Sequence, residues 1–189
     1  MRLVVVSGLS GSGKTSALHI LEDVGFTCID NLPVSLLPDL ITKLNSEGHA
    51  EDTKLAVGID ARNLAGDLNQ IPATLRSIES RGTSVSVIFL HAGQADLIRR
   101  YSETRRKHPL STNTVSLNEA IILDTDMLAP IAKIADRTIE TSGLSLHQLR
   151  DLIKNTVVPH NANHMSILFE SFGFKRGVPI DADFVFDVR

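Results

Sequence analysis

The sequence predicts an α/β three-layer sandwich with a mostly parallel sheet, and three observations predict it. Short apolar stretches rich in Val, Ile and Leu alternate with helical patterns along the 189 residues, as a parallel sheet covered on both faces requires. The first stretch, Leu3-Val4-Val5-Val6, runs directly into Gly8-Leu9-Ser10-Gly11-Ser12-Gly13-Lys14-Thr15, which fits G-x-x-x-x-G-K-[ST] at every position. Apolar residues then return at Ala17, Leu18 and Leu21, the spacing of one helix face. Strand, glycine turn and helix are the context in which this motif holds phosphate. The class therefore narrows to a phosphate-loop (P-loop) NTPase, kinase-like in architecture.

Taken in order, strands are expected over 2–7, 26–29, 54–60, 84–90, 137–141, 164–170 and 183–188. Helices are expected over 14–24, 34–46, 67–80, 94–103, 117–133 and 145–156. The first helix opens at the glycine turn itself. Pro33 and Pro38 bracket the start of the second, where the first turn tolerates a missing N–H. Leu55-Ala56-Val57-Gly58-Ile59 makes the third strand, and Pro109 closes the basic segment that follows the fourth helix. Ser111-Thr112-Asn113-Thr114 reads as a polar loop. Residues 1–160 are expected to form the P-loop nucleotide-binding domain, with a lid near 99–115. Residues 161–189 are expected to be terminal strands leading to a C-terminal domain that is absent from this chain. Asp183 to Arg189 reads as a strand on which the chain stops, so a piece of a longer protein is expected.

Bulk properties exclude several classes. A net charge of −3 argues against a wholly electrostatic nucleic-acid binder, while leaving room for a local basic patch. Seven Phe and one Tyr leave the core to Leu, Ile, Val and Ala. Cys28 stands alone, so no internal disulfide forms, and no Cys/His spacing points to structural zinc. No apolar run reaches the length of a membrane span, and the expected location is the cytoplasm.

The loop motif carries specific chemistry. Gly8, Gly11 and Gly13 permit backbone angles that turn successive N–H groups inward around an anion, and the following helix adds its positive N-terminal end. Leu9, Ser10 and Ser12 complete the cup. Lys14 is placed to reach the β- and γ-phosphates, and Thr15 to put its hydroxyl on Mg²⁺. Asp60 ends the third strand, where an acid holds Mg²⁺ opposite Thr15; a turn role is the alternative. Arg62 and Asn63 follow Ala61 on the edge where ligands bind. They contact phosphate or base, or Asn63 closes the turn. Asp30, in Cys28-Ile29-Asp30-Asn31-Leu32-Pro33, orients a water or substrate hydroxyl, or caps the next helix.

Between Arg99 and His108 stand Arg99, Arg100, Arg105, Arg106 and Lys107, against the single acid Glu103. An arginine-bearing lid over a transferring phosphate, a contact with RNA phosphates and a solvated helix face all fit this run. Lys14, Asp60 and Arg105 are the expected catalytic residues. No N-K-x-D quartet appears, so GTPase-type guanine selectivity is not encoded, and Thr141-Ser142-Gly143 gives no base code where a base-contacting loop is expected. Asp124 and Asp126 are expected at the surface.

These residues, with Asp60-Ala61-Arg62-Asn63, the run from Leu97 to Leu110 (L-I-R-R-Y-S-E-T-R-R-K-H-P-L) and Glu170-Ser171-Phe172-Gly173-Phe174-Lys175, closely resemble the N-terminal part of the RapZ/YvcJ family of bacterial nucleotide-binding proteins. The likeness extends to Phe186-Asp187-Val188-Arg189 and spans essentially the whole chain. It implies an ATP site at Gly8 to Thr15, a GTP-contacting segment at Asp60 to Asn63, and slow hydrolysis of ATP or GTP. It further implies an RNase adapter that binds a small regulatory RNA, presents it to an endoribonuclease and so controls amino-sugar synthesis, as a homo-oligomer in the full-length protein. The resemblance also implies a second domain in the full-length family members, expected to lie outside this chain. A small-molecule kinase passing the γ-phosphate to a metabolite hydroxyl is the alternative, and a plain hydrolase a third.

Overall fold

The computed structural model describes residues 1–46, 53–63, 65–157, 169, 171–173 and 184–187. Its strands are β1 (Arg2–Gly8), β2 (Thr27–Ile29), β3 (Lys54–Ile59), β4 (Ser84–His91) and β5 (Arg137–Glu140). Its helices are α1 (Lys14–Asp23), α2 (Leu37–Ser46), α3 (Ala65–Glu79), α4 (Gln94–Thr104), α5 (Leu117–Ala132) and α6 (Leu146–Val157). A 3-10 turn, Val34–Leu36, leads into α2.

Among the described residues all pairings are parallel and the sheet order is β2-β3-β1-β4-β5. β1 lies centrally, with Leu3 level with Leu55 on one side and Val85 on the other. Successive side chains of a strand face opposite ways, so β1 feeds two cores. Leu3 and Val5 join Val57, Ile59 and Phe89 beneath Leu37, Ile71, Leu97 and Leu128 of α2 to α5. Val4 and Val6 join Ala56, Ile88 and Leu90 beneath Leu18 and Leu21 of α1 and Leu149 and Ile153 of α6. Helices on both faces of a parallel sheet make the three expected layers. The strand order also reverses direction beside β1. That puts a crevice outside the carboxyl end of β1, the place where open α/β sheets take ligands.

Helix ends follow local chemistry. Ser116 and Glu119 form a reciprocal capping box at the start of α5, satisfying two amides that the first turn leaves unpaired. α3 begins at Ala65, two residues before the expected start, and carries Pro72 inside it. Of the two further strands expected, 164–170 lies outside the described residues except at Phe169, and 183–188 except at 184–187; the residues described there carry no strand. The chain divides into two compact units, Met1–Pro159 and His160–Arg189, and every element above belongs to the first. No helix among the described residues is long and apolar enough to cross a membrane.

Leu21 is fully buried where α1 meets the sheet. Leu21→Ala is expected to cost about 2–5 kcal/mol of stability. Urea unfolding would show this as a lower midpoint with an unchanged slope.

Candidate functional site

The turn from β1 to α1 borders a cleft of about 600 Å³. At Gly8 the chain takes φ 146°, and a Cβ there would stand 2.1 Å from the Leu90 carbonyl oxygen. Only glycine lets β1 leave the sheet this close to β4. Leu9 N–H donates to that same Leu90 oxygen at 3.0 Å. Gly13 caps α1 in the left-handed region (φ 105°), and no side chain occupies the helix N-terminus. The first-turn amides and the positive end of the helix dipole therefore remain available to an anion.

Side chains from three other elements hold the loop from outside. Arg100 of α4 donates through Nη1 to the Gly11 carbonyl at 2.9 Å, and through Nη2 to the Thr141 carbonyl at 2.6 Å. The Thr141 hydroxyl, just past β5, donates to the Ser12 carbonyl at 2.9 Å. Asp124 of α5 accepts the Ser10 amide at 2.6 Å. With the Gly11 and Ser12 oxygens claimed from outside, these peptide planes cannot turn their oxygens into the cup.

Lys14 folds back over the loop, donating to the Gly8 carbonyl at 2.7 Å and the Leu9 carbonyl at 3.3 Å. Burial pushes its pKa down, while the charges of Asp60, Asp124 and Asp30 pull the other way. Asp60 is buried at the end of β3 and gripped by Arg62: Nε lies 3.1 Å from Oδ1 and 2.9 Å from Oδ2, and the Arg62 amide donates to Oδ1 at 2.9 Å. Burial alone would raise the Asp60 carboxyl, but the hydrogen bonds from Arg62, with the charge of Lys14, outweigh it and hold the group below the usual carboxylate range.

The structure brings Ser10 to Thr15, Asp30, Asp60 and Arg62 to one cleft. It does not bring Ala61 and Asn63 there. Ala61 packs into the core. Asn63 closes the turn: its Oδ1 accepts the Val34 amide at 2.8 Å and its Nδ2 donates to the Asp60 carbonyl at 3.3 Å. The 3-10 turn is thus capped from a distance by Asn63, and no side-chain cap comes from the Asp30 segment. Asp30 lines the cleft instead.

The basic segment divides similarly. Arg100, Arg106 and Lys107 line the cleft and Arg105 does not. Arg105 ends α4 in a left-handed conformation (φ 52°), a reversal that passes the cleft to the next two residues. Arg99 pairs with Asp96 on the helix surface.

The expectation for Asp124 is corrected. It is 1% exposed, on the stripe of Ala120, Ile121, Leu128 and Ile131 that buries α5. A lone carboxylate at i, i+3, i+4 spacing from apolar residues is the signal that marks it in the sequence. In the sequence Tyr101 and His108 stand only as members of the basic run, and Thr141 as part of a loop expected to contact a base. In the structure His108 is buried beside Asp124, and Tyr101 lines the cleft. Burial, reinforced by the charge of Asp124, pushes the Tyr101 hydroxyl up to about 12.

Comparison with known proteins bears on the chain as a whole. The family model for the RapZ-like N-terminal domain matches residues 1–161. The chain belongs to the RapZ-like N-terminal domain family. This RapZ-like chain is 55% identical over its whole length to a protein of Saccharophagus degradans named a nucleotide-binding protein, of which it covers 65%. It is 55% identical to one of Cellvibrio japonicus, covering 63% of it, and 50% identical to one of Pseudomonas aeruginosa, covering 66%. The chain thus spans a little under two thirds of these curated relatives. Among solved structures, the tunicamycin resistance protein of Deinococcus radiodurans is similar at TM-score 0.55 and 18% identity, over 83% of this chain and 95% of that one. A sugar kinase from Janibacter is similar at TM-score 0.52 and 18% identity, over 87% and 99%. At such identity the likeness shows the fold alone, an α/β P-loop kinase-like fold.

Asn63 links the turn after β3 to the 3-10 turn before α2 through a buried hydrogen bond. Asn63→Ala leaves the Val34 amide unsatisfied and is expected to lower stability by about 1–3 kcal/mol, read by urea denaturation.

Proposed function

We propose that this domain binds the polyphosphate of ATP or GTP at Gly8 to Thr15 and acts as a nucleotide-responsive regulatory module with weak hydrolysis. The observation that carries the reading is the cup itself. Its Gly11 and Ser12 carbonyls are claimed from outside, an uncapped helix start faces it, and Lys14, Arg62, Arg100, Arg106 and Lys107 border the same cleft. Five cations around one amide cup favour a multiply charged phosphate chain over a neutral ligand.

Mg²⁺ is the cation such a site implies, and the donors present suit it. Thr15 and the carboxylates of Asp60 and Asp30 are hard oxygen ligands on one cleft. Among the described residues no cluster of three or more His, Cys, Asp or Glu groups stands ready for a metal. An ion arriving on phosphate oxygens needs only a few protein ligands, and Thr15 and Asp60 would hold it. Bound there, Mg²⁺ would neutralise charge on the phosphates.

Asp60 also favours slow turnover. Both its oxygens are engaged by Arg62, so the carboxylate is not free to act as a base or to meet the metal until that grip loosens. Lys14 supplies charge to the phosphates, and Arg106 and Lys107 take the lid role expected of Arg105. The RNA and endoribonuclease partners, the link to amino-sugar metabolism, the homo-oligomer and the cytoplasmic setting are proposed for the full-length protein. There the exposed cations after α4 would meet RNA phosphates. The kinase reading keeps one observation in its favour: Asp30 lines the cleft without capping a helix, as an acid beside an acceptor hydroxyl would.

Calorimetric titration with MgATP and MgGTP tests the reading. Lys14→Ala is expected to weaken binding by roughly 10–100-fold, the worth of a charged hydrogen bond, with the thermal melt retained. Equal affinity in the two proteins would exclude the site. A metabolite that speeds ATP consumption many-fold and emerges phosphorylated would establish the kinase in place of the regulator.

A further inference from the structure

Behind the phosphate loop lies a buried pair that the nucleotide reading does not use. Asp124 Oδ2 accepts the Ser10 amide at 2.6 Å and stands 3.5 Å from His108 Nε2. Neither side chain is more than 1% exposed. His108 Nε2 and Asp124 Oδ1 have no hydrogen-bond partner, and the 3.5 Å contact from Nε2 to Oδ2 is long for a hydrogen bond. His108 Nδ1 accepts the Leu110 amide at 3.1 Å. That bond sets the ring's proton on Nε2, toward the carboxylate. The His108 ring also packs on Tyr101 at 5.1 Å between centroids. Tyr101 in turn touches the loop, since a Cβ at Gly11 would meet its ring at 3.1 Å.

We propose that Asp124 and His108 are positioning residues that seat Arg106 and Lys107 over the phosphate loop when a polyphosphate fills it. The inference rests on the polyphosphate reading above. An anion in the cup adds negative charge next to a carboxylate already bound to the loop's own backbone. The His108 Nε2–H beside that carboxylate has no other partner, and closing the 3.5 Å gap offsets that charge with a hydrogen bond. His108 follows Lys107 directly, so the ring's shift toward Asp124 draws the two cations of the cleft wall toward the anion. The loop and the basic segment then respond together, although they lie some ninety residues apart in sequence, as Arg100 and Gly11 do (|i−j| = 89).

Two substitutions separate the link from the loop. Asp124→Asn keeps an oxygen for the Ser10 amide but sets an N–H₂ against the ring's N–H. His108→Phe keeps the ring against Tyr101 and removes the donor. Hydrogen exchange is followed over residues 105–110 with and without a non-hydrolysable ATP analogue and Mg²⁺, each protein being saturated according to its own measured affinity. The analogue is expected to slow exchange about tenfold in the parent chain and less than about threefold in either variant. Parent-like protection in a saturated variant overturns the proposal. If the variants do not fold or do not bind, the parent's His108 Nε2–H resonance, assigned by through-bond transfer in the parent, decides: it must shift when the analogue is added, and an unchanged signal overturns the proposal. An analogue that does not bind the parent at all, seen first by calorimetry, removes the polyphosphate reading and this inference with it.

Discussion

The orientation of a few peptide planes between β1 and α1 is the constraint on which the rest depends. A loop of small residues has many conformations, and an amide cup is only one of them. Here that one is selected by partners distant in sequence: Arg100 takes the Gly11 carbonyl, Thr141 the Ser12 carbonyl and Asp124 the Ser10 amide. Each partner sits on an element whose apolar face is anchored in the core, through Leu97 on α4, Ile139 on β5 and Leu128 on α5. The hydrophobic effect places the elements, and the elements place the hydrogen bonds that shape the loop.

Charge in the cleft is balanced rather than merely positive. Lys14 is buried, and three carboxylates offset part of the cost of keeping it charged. Asp60 is one of them and is itself held ionised by Arg62. Removing Asp60 takes away the foremost of the carboxylates that compensate buried Lys14, which gives it a structural role alongside its chemical one. A phosphate chain entering this network offers Lys14 a charged partner in place of two carbonyl oxygens.

Legibility differed by kind of residue. The strand, glycine turn and helix were plain because their chemistry is local: backbone angles that glycine alone accepts, and periodicities of two and 3.6. Asp30 and Asn63 were only half legible. Either could serve a turn or a ligand, and the choice depended on which one reached the Val34 amide across the gap between two strands. Asn63 reached it, leaving Asp30 at the cleft. Arg105 and its neighbours could not be ranked from composition, because a single left-handed residue decides which cations turn toward the site.

What the sequence determined by itself was the fold class, the order of the first-unit elements and the presence of the glycine turn, since each is marked by a pattern among residues close along the chain. Tertiary structure alone decided that Asp124 and His108 are buried, that Arg62 grips Asp60, and that Arg100 and Thr141 hold the loop. Those outcomes depend on which helix faces pack against which strand ends, and the physical reason is distance: such pairs meet only after the sheet has brought remote segments together.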